Sequence, residues 1–210
     1  MPADNFLYFS KPAVGVGSQL TDKGAQPDGE TTDHWFATKA NGGTFTNKTS
    51  ALEIASFSFG VTQAETSGSG TGGASAGKVK FEEFSIERNV DQASCPLFNA
   101  CTSGAHFPSV MLAIRKAGGS PLLYLQFCFR QVFVTGVSWN GGGGEEGFKE
   151  TVKFKFGAMG IQYIRQMATG LPDSKGPMVG AWNTTTNTDT LVVDGLPDES
   201  TPYIKEVQQG

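Results

Sequence analysis

A glycine-rich segment, residues 67–77, carries the residue types of a nucleotide-binding loop. It matches the spacing G-x-G-x-x-G from Gly68 and the spacing G-x-x-x-x-G-K from Gly72 to Lys78. A phosphate loop also needs Ser or Thr after the lysine to hold magnesium, and a helix whose free N–H groups face the phosphate. Here Val79 follows the lysine and the chain runs into a predicted strand. We therefore predict a flexible surface loop, with no nucleotide and no other cofactor.

Cysteine and histidine are the next candidates for chemistry. The chain has three cysteines and two histidines, His34 and His106, and it has no C-x-x-C pair. Zinc sites require clustered ligands, so we predict no metal. Cys101 and Cys128 fit small core residues, although a cysteine nucleophile that meets His106 in space stays open as an alternative. The odd number of cysteines favours folding in a reducing cytoplasm.

Two pairs of adjacent carboxylates are candidates for acid–base catalysis. Glu82 and Glu83 lie on a predicted strand, where successive side chains point to opposite faces. Glu145 and Glu146 lie in a glycine loop, where water would surround both groups and leave neither desolvated. We interpret both pairs as solvated charge. Because no Ser or Cys has a nucleophile-elbow pattern either, the sequence predicts that the protein is not an enzyme.

Length and composition narrow the class of protein. A chain of 210 residues can bury one substantial core, and its net charge of -4 gives no basic excess for binding nucleic acid. The 28 glycines and 16 phenylalanines favour many strands separated by turns. No segment is long and apolar enough to cross a bilayer, and no cationic stretch precedes an apolar run at the start. We expect no membrane insertion and no conventional signal peptide.

The elements that would position these residues are mainly strands. One helix is predicted near Ser94 to Thr102, with Ser94 as its N-cap, Pro96 in its first turn and Gly104 as its stop. Antiparallel strands joined by glycine loops predict a meander that closes into a barrel, with the helix covering it. The predicted strands are Asn5 to Phe9, Leu52 to Gln63, Lys78 to Arg88, Phe107 to Arg115, Leu122 to Val137 and Glu150 to Phe156.

The apolar positions change face within two of the predicted strands. Leu52 and Ile54 share one face, whereas Phe57 and Phe59 share the other, and a matching change falls between residues 81 and 84. Matched changes in neighbouring strands predict a sharply bent ribbon or a barrel corner. They also leave apolar side chains on both faces, which either a second copy of the chain or the helix with the long early loop would cover.

An ordered series of motifs runs through most of residues 52–183. It includes Phe57-Ser58-Phe59-Gly60, the segment Ala100 to Pro108, the segment Ile114 to Gly119 and Gly180-Ala181-Trp182-Asn183. In order and spacing, this series resembles the haemolysin-coregulated protein (Hcp) family, which forms the inner tube of bacterial type VI secretion systems. The resemblance implies a compact antiparallel β-barrel with one flanking α-helix, related to phage tail tubes.

The resemblance also implies an assembly and its partners. Six copies would close into a ring, and stacked rings would form a tube that a contracting sheath expels, with small effector proteins held in the lumen. The implied partners are further copies of the chain and the sheath, spike and baseplate components. The protein would be made in the cytoplasm and secreted without a signal peptide. Motif residues with an implied but unassigned role in the fold or the oligomer are Gly72, Gly73, Gly77, Lys78, Asp91, Cys101, Gly104, His106, Pro108, Arg115, Lys116, Gly118 and Gly119.

Two regions are longer than the family's pattern. The early loop spans residues 10–50, with Gly29-Glu30 at the family's own position inside it, and a polar stretch follows Asn183. We predict a barrel domain at 1–169 with this enlarged early loop, and a polar C-terminal extension at 170–210. A different class of function stays open as an alternative. Trp139 beside a glycine loop, with the low charge, would also suit a secreted β-sandwich binding module for a glycan or protein ligand.

Overall fold

The computed structural model describes residues 3–10, 27–31, 51–65, 76–116, 122–141, 147–167, 169 and 171–193, and every structural statement below concerns these residues. They form ten strands and one helix. In chain order the elements are β1 (Ala3–Phe9), β2 (Leu52–Glu53), β3 (Ser56–Ser58), β4 (Val61–Glu65), β5 (Ala76–Phe81), β6 (Phe84–Asn89), α1 (Ser94–Ser103), β7 (His106–Lys116), β8 (Leu122–Asn140), β9 (Lys149–Tyr163) and β10 (Met178–Asn183).

The main sheet is antiparallel and closes on itself through one short segment. Its order is β2-β1-β7-β8-β9-β6-β3, with β10 also paired to β9. The two end strands, β2 and β3, are successive parts of residues 52–58, so this segment joins both edges. The partner changes between Ile54, whose N–H donates to Asn5 O at 3.0 Å, and Ala55, whose N–H donates to Glu87 O at 2.8 Å. The predicted barrel is therefore confirmed, with residues 52–58 as its closing segment.

This partner change explains the change of apolar face in the sequence. Leu52 and Ile54 are buried in the main core, and Phe57 and Phe59 pack against that same core. Beyond the barrel, β4 and β5 form a separate two-stranded ribbon, and Glu82 N–H donates to Gly60 O at the bend. The bent ribbon is thus confirmed. The expectation of apolar side chains on two faces is wrong here, because the strand turns and both sets reach one interior.

A second change of face crosses three strands in one row. Core-facing residues are three positions apart at Phe107 to Val110 in β7, Phe129 to Val132 in β8 and Phe156 to Met159 in β9. The residues between them include Pro108, Gln131 and Gly157. An alternating strand would space core residues by two, so the sheet changes its inward face along this row.

Backbone geometry shows how the strands accommodate the change of inward face along this row. Gln131 has φ of 52°, a left-handed conformation that is uncommon for a residue with a side chain. A Cβ on Gly157 would lie 2.5 Å from Gln131 Oε1, so glycine leaves room for this side chain. The carbonyl of Gly157 instead accepts hydrogen bonds from Thr184 N at 2.8 Å and Thr184 Oγ1 at 2.7 Å. Beyond this row the neighbour of β9 changes from β6 to β10.

The helix α1 covers the barrel, as predicted. Leu97 and Ala100 are buried in the core, and Cys101 packs against it. Gly104 ends the helix in the left-handed conformation with φ of 67°, which confirms the stop. Ser94 as N-cap is wrong: Ala93 holds that position without a side-chain hydrogen bond, and Ser94 is the first helical residue. The Ser94 hydroxyl accepts from Asp91 N at 3.2 Å, which fixes the turn before the helix.

Strand β10 changes the reading of the C-terminal region. Met178 pairs with Tyr163 and Asn183 pairs with Ala158, so a strand inside residues 170–210 belongs to the main sheet. The main sheet therefore extends past residue 169, because β10 pairs with the edge of β9 beyond the part that pairs with β6. The rest of the predicted division between barrel and extension stays a prediction. Residues 194–210, and most of the early loop 10–50, lie outside the described residues.

Candidate assembly surfaces

The end of the barrel beside α1 holds a buried ion pair. Arg88 and Glu150 occupy the core-facing positions at the ends of β6 and β9, and their side chains are 1% and 0% exposed. Arg88 Nη1 donates to Glu150 Oε1 at 2.7 Å, and Arg88 Nη2 also pairs with Asp91. Trp139 Nε1 donates to the second Glu150 oxygen at 3.0 Å. Such a pair is stable only when each charge stays matched, so it fixes β6, β8 and β9 together.

Large apolar side chains cover this ion pair and face the solvent. Trp139 lies 5.9 Å from Phe98, measured between ring centroids, and the ring of Phe148 lies over the backbone of Gly141. Val90 N–H donates to Phe148 O at 2.8 Å, which places Val90 beside Phe148. Between 39% and 64% of each residue is exposed. We call this surface the helix-end patch; it consists of Val90, Phe98, Trp139 and Phe148.

A second exposed apolar surface lies at the opposite end of β9. Tyr163 is the last residue of β9 and pairs with Met178, the first residue of β10. The chain between these strands folds back, with Met167 N–H donating to Leu171 O at 2.9 Å. The exposed fractions range from 40% to 65%. We call this surface the hairpin-end patch; it consists of Tyr163, Met167, Leu171, Met178 and Val179.

Charged side chains beside the hairpin-end patch are less completely buried than the Arg88–Glu150 pair. Arg115 Nε and Nη2 both lie 3.0 Å from Asp4 Oδ2, and the Asp4 side chain is 37% exposed. Lys116 Nζ donates to Gln166 Oε1 at 2.7 Å and lies over the ring of Tyr124. These interactions hold β1 and β7 to the turn after β9, and they share the surface with the apolar side chains.

The motif residues around the helix have structural positions. Asp91 Oδ1 accepts from Ala93 N at 2.7 Å, and its carboxylate pairs with Arg88. Cys101 and Gly104 serve the core and the helix stop. His106 begins β7, with its ring 5.5 Å from that of Phe133. Pro108 lies in the row where β7 changes face, and its missing N–H suits this break in pairing.

The remaining motif residues lie at the hairpin end, in β5, or outside the residues that the structure describes. Arg115 and Lys116 lie beside the hairpin-end patch. Gly77 and Lys78 belong to β5, which confirms that the glycine segment runs into a strand. Gly72, Gly73, Gly118 and Gly119 lie outside the described residues. The structure thus brings Asp91 to one end of the barrel and Arg115 with Lys116 to the other.

Within the ranges that the structure describes, no cluster of three His, Cys, Asp or Glu side chains could hold a metal ion. In the same ranges no helix is long and apolar enough to cross a membrane. Glu82 and Glu83 lie at the bend between β5 and β6, where Glu83 pairs with Lys155 at 3.5 Å on the surface. Glu145 and Glu146 lie outside the described ranges.

These features define the class of protein: an antiparallel β-barrel with one helix among the residues that the structure describes. Residues 38–163 match the family model described as "Type VI secretion system effector, Hcp". The chain belongs to the Hcp family, as the motif series predicted. It is 37% identical over 107 residues to the Pseudomonas aeruginosa protein named "Protein hcp1", in a match that covers 50% of this chain and 65% of that protein. The match thus spans less than two thirds of this relative's length.

Solved structures share the fold. A structure described as a type six secretion system protein has a TM-score of 0.70 and 24% identity, covering 90% of this chain and all of its own. Hcp1 from Salmonella typhimurium has a TM-score of 0.62 and 26% identity, with coverage of 90% and 100%. The likeness therefore extends over the full length of both solved chains and 90% of this chain.

The sequence contains a pattern from which the buried ion pair could be predicted. In β6 the core-facing alternation runs Phe84, Ile86, Arg88, and in β9 it runs from Glu150 to Val152 and beyond. A charged residue at a core-facing position requires a partner, because an unmatched buried charge is costly. Two opposite charges in such positions on two strands would have predicted their pairing. Trp139, whose position beside a glycine loop suggested ligand binding, donates a hydrogen bond to this pair.

Proposed function

We propose that this chain is a structural subunit of the inner tube of a type VI secretion system, and that six copies form a ring. The family match over residues 38–163 carries the proposal. Rings of this kind would stack into a tube and be expelled by the contracting sheath. The shared fold and 26% identity with Hcp1 of Salmonella typhimurium support the same role.

The finer parts of the proposal concern partners, location and chemistry. The partners are further copies of the chain, the sheath, spike and baseplate components, and small effector proteins held in the ring lumen. The chain is made in the cytoplasm and leaves through the secretion system without a signal peptide. It has no catalytic role. In support, the motif residues that the structure describes serve helix boundaries, packing and ion pairs, which are structural tasks.

Mass measurement of the purified chain tests this function. We expect a particle of six chains by light scattering at micromolar concentration, and rings in electron micrographs. A chain that stays monomeric up to high concentration would contradict the proposal. A monomer that binds a glycan saturably would support the alternative binding module. Trp139, the residue that suggested this alternative, also has a structural role, because its indole N–H donates to Glu150.

A further inference from the structure

We infer that the helix-end patch of one copy packs against the hairpin-end patch of the next copy. The inference rests on the proposed function, because it names the surfaces through which copies of the chain meet. The two patches contain nine of the twelve exposed large apolar side chains found among the described residues. Exposed apolar groups gathered in this way are typical of protein interaction sites.

The position of the patches determines the kind of contact. Phe148 immediately precedes β9, and Tyr163 ends it, so the patches occupy opposite ends of a 15-residue strand. They also differ in composition, because one is aromatic with Val90 and the other is mainly aliphatic with Tyr163. Two different surfaces at opposite ends favour a head-to-tail contact over a self-complementary one. Repetition of a head-to-tail contact closes into a ring when the rotation between copies allows it.

Charges around the patches are complementary. Among the described residues, and apart from the buried Arg88–Glu150 pair, three carboxylates and one cation lie at the helix end, and four cations and two carboxylates lie at the hairpin end. Opposite excess charge on the two surfaces would orient one copy against the next. The helix-end groups are Asp28, Glu30, Asp91 and Lys149; the hairpin-end groups are Arg115, Lys116, Arg165, Lys175, Asp4 and Asp173.

Contacts place these charges beside the patches. Glu30 Oε1 accepts from Gln92 N at 3.2 Å, two residues after Val90, and Gln92 Nε2 donates to Gly29 O at 3.0 Å. At the other end, Arg165 pairs with Asp173 at 3.8 Å, and Lys175 N–H donates to Asp173 Oδ1 at 3.1 Å. The two charged borders therefore surround apolar centres, as in stable protein interfaces.

The helix-end patch is also held rigid before any contact. The indole of Trp139 is anchored by Glu150, and Glu150 by Arg88, beneath the exposed ring faces. An aromatic side chain fixed in this way loses little conformational freedom when it is covered. Tryptophan and other aromatic side chains at the centre of a contact commonly dominate its affinity. A second copy is the occupant that fits, because this chain itself carries the apolar surface with the opposite excess charge.

Complementary variants test the contact. Phe148→Glu alters the helix-end patch, and Met178→Glu alters the hairpin-end patch; these residues are 64% and 65% exposed. Each variant alone should assemble at least about 30-fold more weakly, as expected for the loss of a central apolar contact. When mixed in equal amounts, the two variants should form a particle of two chains, because one intact surface of each kind remains. Light scattering and analytical ultracentrifugation give the masses.

Val192→Glu is the matched control, because Val192 is 52% exposed and lies in neither patch. It should assemble like the native chain. If a glutamate variant fails to fold by circular dichroism, Phe148→Ser or Val179→Ser replaces it. The inference is overturned if the native chain assembles and both patch variants do so equally well, or if the mixture yields no pair. If the native chain itself remains monomeric, the proposed function fails, and this contact fails with it.

Discussion

The two ends of β9 differ in how deeply their charged side chains are buried. At the helix end Arg88 and Glu150 lie inside the barrel, and apolar side chains occupy the surface above them. At the hairpin end the Arg115–Asp4 pair is only partly buried, because the Arg115 side chain is 9% exposed and the Asp4 side chain is 37% exposed. Water therefore screens charge at the hairpin end far more than at the helix end.

Because of this difference, similar ion pairs contribute differently to stability at the two ends. A buried pair adds little net stability over an apolar core, but removal of one partner leaves the other charge buried and less well matched. Without the Glu150 carboxylate, Arg88 would keep only its pairing with Asp91. A pair whose carboxylate is partly exposed contributes less, because water already competes for that carboxylate. The helix end is thus held by an interaction that resists change, and the hairpin end by interactions that tolerate it.

The largest expected effect breaks the buried pair. Glu150→Gln removes the carboxylate charge between Arg88 and Trp139, and we expect a loss of about 3 kcal/mol or more in the free energy of unfolding. For a domain of this size, the loss lowers Tm by roughly 6 to 12 °C. Thermal unfolding followed by circular dichroism at one fixed protein concentration measures the change.

Glu83→Gln is the control for this experiment. It removes a carboxylate that pairs with Lys155 at 3.5 Å, where the two side chains are 36% and 67% exposed. We expect a change below about 1 kcal/mol for this surface pair. Equal effects of the two substitutions would show that burial does not distinguish these carboxylates.

A smaller effect is expected at the hairpin end. Asp4→Asn removes the charge that Arg115 contacts, and it should cost about 1 kcal/mol or less, because solvent reaches the site. The difference from the native chain should shrink in 1 M salt, whereas the effect of Glu150→Gln should persist. Denaturant unfolding at low and high salt gives both values. A salt-insensitive loss of several kcal/mol at Asp4 would remove the contrast between the ends.

The smallest effect concerns the row of Pro108, Gln131 and Gly157 that separates the two ends. Gln131→Gly should be more stable than Gln131→Ala by about 1 kcal/mol, because only glycine adopts a left-handed conformation without steric cost. Both variants lose the same side-chain contacts, so their difference isolates the backbone conformation. Urea unfolding measures it. Equal stabilities would show that the conformation at this position stores no strain.

Sequence patterns were sufficient for the local elements. Alternation at Val110, Leu112 and Ile114 predicted β7, and Gly104 predicted the helix stop, because both signals depend on neighbouring residues only. The change of face between Ile54 and Phe57 predicted the bent ribbon. The cause of this change of face could not be predicted, because it is a change of hydrogen-bonding partner from β1 to β6, which are distant in the sequence.

By itself, the sequence determined the class of fold, the family and the absence of a nucleotide-loop context around Lys78. Only the tertiary structure decided which charges are buried together, where β10 pairs, and which apolar residues remain exposed. Arg88 and Glu150 are 62 positions apart, and Phe148 and Met178 lie at opposite ends of the barrel. Burial and pairing depend on which strands become neighbours, and chain closure through residues 52–58 sets that arrangement.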